Sequence, residues 1–94
     1  MGMNEPSCWL CARPLGRRIE YHHPRPKSRG GRETVPVHPI CHRTIHARFS
    51  NLSLARSPHA ETMRKDAEIA RFLVWIASKP PDFSAPTRRR KDRV

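Results

Sequence analysis

Aromatic residues make up only 6% of this 94-residue chain, and its hydrophobic fraction is 36%. So little large apolar surface excludes a deep core. One small domain with appendages is what the chain can build, and domains of this size commonly lean on a metal or a partner for stability. Long hydrophobic runs are missing as well: the longest, Phe72 to Ala77, falls far short of the roughly 20 residues that cross a bilayer, so no membrane partner is expected. Cysteines number three, an odd count that cannot pair off completely. Met1 to Pro6 shows no basic stretch followed by an apolar one, and together these features predict a reduced, cytoplasmic setting.

Acidic residues are also scarce, 8 Asp and Glu against 19 Lys and Arg, for a formal net charge of +11 and a sequence pI near 11.3. The natural partner of such a chain is a polyanion. The basic residues are spread through Pro/Gly-rich loops and a tail rather than along one amphipathic helix, which favours nucleic acid over a membrane surface.

The pattern along the chain is that of a small α+β protein. Residues 1–7 read as a lead-in, and Cys8-Trp9-Leu10-Cys11 as a tight knuckle. Alternation over Arg18-Ile19-Glu20-Tyr21-His22 predicts a short strand with Ile19 and Tyr21 on one face. Residues 24–32, with two prolines and a Gly-Gly pair, form a loop. Thr34-Val35-Pro36-Val37 predicts a second short strand, confined to an edge by Pro36, so the two strands make an antiparallel hairpin around a basic loop. Pro39 opens a helix that runs through Arg48. Ser50-Asn51-Leu52-Ser53 reads as a connector, and Ser57-Pro58 as the capped start of one long helix over 58–78. The C-terminal half of that helix is apolar almost all round, which suits burial against its own domain or docking of a second copy or a larger protein. Lys79-Pro80-Pro81 stops it, and Thr87 to Val94 is a basic tail, expected to be disordered. The division that results is a metal-bearing domain over 5–55, a C-terminal helix over 56–79 and a tail over 80–94.

Two ligand sets stand out. Cys8-x-x-Cys11 and His38-x-x-Cys41 are the halves of a tetrahedral site for one structural zinc ion, since thiolate and imidazole donors two residues apart reach one ion from a tight turn. The second set is histidine-rich. His42 and His46 are four apart on the predicted helix and share a face. With His22 they could hold a catalytic divalent ion and leave positions open for a phosphate oxygen and water. A rival assignment gives the zinc His42 or His46 in place of His38, which would cost the second ion a ligand. His23 follows His22 on a strand and so points to the other side; imidazole, with an ordinary pKa of about 6.5, suits the role of general base there. Arg25, Lys27, Arg29 and Arg32 lie on the loop that follows and could grip phosphates. Trp9 and Trp75 are expected to pack rather than stack on bases.

The order Cys-x-x-Cys, a His-His pair before Pro, Lys-Ser-Arg-Gly-Gly and then Cys-His-x-x-Ile-His resembles the HNH endonucleases of the ββα-metal (His-Me finger) fold, in their zinc-stapled subgroup. The resemblance spans roughly residues 8–51. It implies that His22 and His42 are metal ligands, that His23 is the general base, and that His46 binds metal or phosphate. It also implies a metal-dependent endonuclease cleaving DNA phosphodiesters, with low intrinsic sequence specificity, and an ion that is Mg, Mn, Ni or Zn. The family's central Asn has no counterpart, because no Asn falls between Asn4 and Asn51; Glu33 or Thr34 stands near its place, and Glu33 could ligate an ion directly. The reading of another class is a non-catalytic zinc-binding module that binds nucleic acid.

Overall fold

The computed structural model describes residues 6–86, so the basic tail expected from Thr87 onward and the first residues of the lead-in lie outside the described residues. Strands β1 (Glu20–His22) and β2 (Val35–Val37) pair antiparallel with Glu20 opposite Val37, Tyr21 opposite Pro36 and His22 opposite Val35. In a two-stranded sheet every strand is an edge, so Pro36 sits mid-strand without denying a neighbour a hydrogen bond. Its carbonyl is used from outside the sheet, accepting from Trp9 N at 2.9 Å and tying the cysteine knuckle to β2.

The hairpin matches the sequence reading, but its inward face does not. Tyr21 is 58% exposed and Ile19 36%, while His22 is fully buried. Because side chains alternate along a strand, burying His22 forces Tyr21 outward; the site overrides the apolar face that hydropathy alone selects.

Helix α1 (Pro39–Arg48) starts where the sequence places it, with Pro39 in the first turn, and buries Ile40, Cys41 and Ile45. The segment read as a connector is instead a helix, α2 (Asn51–Arg56). Ser50 caps it, its Oγ accepting from Ser53 N at 3.1 Å, and Leu54 anchors it in the core. The expected single helix over 58–78 is two, α3 (Ala60–Lys65) and α4 (Ala67–Ile76), and α3 begins after His59 rather than with a Ser57 cap. Asp66 breaks the run: its backbone is extended, with ψ at 135°, and its carboxylate accepts from Glu68 N and Ile69 N at the start of α4. Arg48 holds the same carboxylate in a two-pronged pair at 2.8 and 2.9 Å.

The core is built from the knuckle, β2 and the four helices. Leu10, Val37, Ile40, Ile45, Leu54, Met63, Ile69 and Ile76 are all nearly inaccessible, and α4 packs on α1. The outer face of α4 is not covered: Val74 is 79% exposed and Trp75 45%. No helix among the described residues is long and apolar enough to cross a membrane.

Candidate metal centres

Cys8 and Cys11 are brought together by a sharp reversal. Ala12 N donates to Cys8 O and Cys8 N to Arg13 O, both at 2.9 Å, and the chain turns through Ala12 in the left-handed region at φ 67°. His38 follows β2 as the N-cap of α1, and Cys41 lies in the first turn of that helix, so the junction of hairpin and helix delivers the other pair. The four ligand atoms of Cys8, Cys11, His38 and Cys41 lie within 4.8 Å of one another. All three cysteines are free.

The chemistry of this set fits a tetrahedral metal such as zinc. His38 Nε2 lies 2.8 Å from Pro14 O. A carbonyl only accepts, so Nε2 carries the proton and Nδ1 keeps its lone pair, aimed at Cys11 Sγ at 3.4 Å and Cys41 Sγ at 3.8 Å. That outer contact fixes tautomer and ring orientation, as partners of metal-bound histidines commonly do. Within the cluster, thiol hydrogen bonds from Cys11 and Cys41 push the Cys8 thiol well below the ordinary range, while hydrogen bonds to Cys11 and Cys8, then burial, push Cys41 far above it. Thiols so close share protons unevenly, and thiolate is the form that binds a metal. Arg13 Nη1, 3.6 Å from Cys11 Sγ, sets a positive charge beside the sulfur.

The second group comprises His22 from β1 and His42 and His46 from one face of α1, again with ligand atoms within 4.8 Å. Their rings meet edge to face with centroids 5.0 to 5.4 Å apart. Burial falls across the trio, from buried His22 through half-buried His42 to exposed His46. Both ring nitrogens of His22 are buried with no hydrogen-bond partner among the described residues, an unusual state for a polar group. Burial first, then the neighbouring His46, His42 and His23, pushes the His22 pKa down to about 4, and burial with His42 lowers that of His46. His22 is therefore a neutral imidazole at physiological pH, the state in which histidine ligates metal.

The sequence reading missed Glu20. Its Oε1 lies 2.8 Å from His42 Nδ1, so Nδ1 is engaged and Nε2 is the nitrogen left for an ion. The signal was present in the sequence: Glu20 and His22 are two apart on a strand, hence on one face.

His38 groups with the three cysteines, and His42 and His46 group with His22. His23 follows β1 and is half-buried. Arg25, Lys27, Arg29 and Arg32 are all exposed on the loop between the strands. Glu33 and Thr34 are exposed too, and Glu33 is not part of the grouped ligands.

The chain is 37% identical over 89 residues to the uncharacterized protein YisB of Bacillus subtilis (strain 168), an alignment that takes in 92% of this chain and 88% of that protein. It belongs to the same family as YisB. No family model matches the chain, and no solved structure does.

Proposed function

We propose that this chain is a zinc-stapled, HNH-type ββα-metal domain that acts as a divalent-metal-dependent DNA endonuclease. The observation that carries the reading is the trio of His22, His42 and His46, presented by a hairpin and the helix after it, with the nitrogens of His22 sealed in and unpartnered.

His22, His42 and His46 would hold the ion, Mg, Mn, Ni or Zn. Such an ion supplies Lewis-acid stabilisation of phosphodiester oxygens and of a departing alkoxide. The chain's own residues do the rest. Glu20 accepts from His42 Nδ1 and aims Nε2 inward. His23, half-buried and next to His22 in the chain, would take a proton from the attacking water. Arg25, Lys27, Arg29 and Arg32 draw in the DNA and place its backbone, a contact that weakens steeply with salt. The Cys8, Cys11, His38 and Cys41 site carries no reaction; it ties the knuckle to the start of α1 and so fixes the helix that bears His42 and His46.

A second reading, a zinc-binding nucleic-acid module without activity, is favoured by the missing Asn and by the exposed position of Glu33 outside the trio. Supercoiled plasmid decides between them. Parent and His23→Ala protein are incubated with EDTA and then with Mg, Mn, Ni or Zn ions. Metal-dependent nicking by the parent and not by the variant is expected. Failure of the parent to cut with any ion, while it still binds the plasmid, leaves the module.

A further inference from the structure

A groove of about 600 Å³ lies between the basic loop and the segment that leads into α3, with Trp9, Arg25, Arg32, Glu33, Glu61 and Arg64 among its lining. We infer that this groove seats an unpaired nucleobase of the DNA strand being cut, stacked on the indole of Trp9; this rests on the nuclease reading and adds that the substrate presents an unstacked nucleotide.

Trp9 is shared by the two sites. It packs partly against the core, as the sequence leads one to expect, yet it is also among the residues lining the groove, and its ring tilts against His22 with centroids 5.4 Å apart, so a base resting on the indole would set its own phosphodiester next to the trio. The support is rigid. Trp9 N donates to Pro36 O at 2.9 Å, and Arg64 donates from Nη2 to Trp9 O at 2.8 Å and from Nε to Leu10 O at 2.9 Å. An aromatic platform held this firmly loses little freedom when it binds.

The lining carries carboxylates among its arginines, so it offers acceptors to a base as well as charge to its flanking phosphates. The Arg64 guanidinium donates to the two carbonyls and keeps its positive charge, and Arg25 and Arg32, exposed on the loop, would hold the phosphates on either side of the base. Glu33 and Glu61 set two carboxylates on the lining. Carboxylates repel phosphate but accept hydrogen bonds from the amino edges of bases. A groove of this size has room for a base, and stacking on an aromatic ring is how sequence-tolerant proteins hold single strands. The loop owes its course to its glycines: a Cβ at Gly31 would collide with the carbonyl of Arg25, and Gly30 lies at φ 88°.

The test uses Trp75→Phe protein, which leaves Trp9 as its sole tryptophan, loaded with zinc and titrated with a short single-stranded DNA of non-hydrolysable linkages. An abasic oligomer with the same backbone and a blunt duplex of equal phosphate content serve as comparisons. Saturable quenching of Trp9 fluorescence by the single strand is expected, with binding to the abasic oligomer weaker by about tenfold or more. Equal affinity for the abasic oligomer, or no change in Trp9 emission, overturns the inference. The readout needs no cleavage, so the two claims fail separately. Plasmid cutting without base-dependent binding removes the groove assignment alone, and base-dependent binding without cutting removes the nuclease alone.

Discussion

A buried imidazole with neither nitrogen hydrogen-bonded gives up about 1–3 kcal/mol for each group left unsatisfied. His22 is in that state, and a chain with so small a core has little stability to spare. The cost is offset if the nitrogen is a metal ligand, and the edge-to-face approach of His42 and His46 supplies its companions. The depressed pKa of His22 also gives stability a pH dependence. The unfolded chain takes a proton near the ordinary value of 6.5, whereas the folded one resists until about 4. This contribution is therefore whole above 6.5 and is lost as pH falls towards 4. Asp66, held below the ordinary carboxylate range by its hydrogen bond with Arg48, acts only in more acid solution. Urea titrations under a mild chelator that spares the thiolate site should show the midpoint falling across this window, and falling less in His22→Phe; an identical slope in both proteins would contradict the assignment. Glu20 is the other residue whose role is specific. Its carboxylate orients His42 from outside the ligand set, a kind of contact worth about 10- to 100-fold in metal affinity. Glu20→Gln should weaken binding of Mn or Ni ions to the trio by that factor in calorimetric titration and leave zinc in the cysteine site. Unchanged affinity would make the contact incidental.

Among the elements, those that serve the metal sites were legible and those that serve packing were less so. The Cys8-x-x-Cys11 and His38-x-x-Cys41 spacings, the hairpin, and the helix opened by Pro39 could all be read directly, because ligand spacing, proline and alternation are local signals. The break at Asp66 was not. Apolar residues run on at helical spacing through Met63, Ala67 and Ala70, and the carboxylate that interrupts them is stabilised by Arg48, eighteen positions earlier. Helix α2 was hidden for a similar reason: Ser50 looks like a turn residue until Leu54 is seen to be buried. Asp66→Ala removes the cap of α4 together with the Arg48 pair, and should destabilise the fold by about 1–3 kcal/mol in urea titration at neutral pH. A loss below about 0.5 kcal/mol would mean that the cap contributes little and that packing of Met63 and Ile69 alone sets the break.

At the scale of the whole molecule, a short chain with few aromatics surrounds two clusters of metal-binding side chains with one shared core. The two differ in kind. The cysteine set is buried save for a half-buried Cys11 and has a full complement of four donors, as a structural site requires, whereas the histidine trio opens to solvent at His46 with three, which on the proposed reading would leave positions open for substrate. On the proposed reading, exposed arginines on the hairpin loop and a formal charge of +11 would provide the field that draws in a polyanion. The claim on which all of this depends is that the two clusters bind separate ions. Elemental analysis of protein dialysed against zinc, compared with its His22→Ala, His46→Ala double variant, tests it most directly. Two ions per parent chain, one for each cluster, and a single ion in the variant are predicted. One ion in the parent, or two that survive the double substitution, would contradict the account.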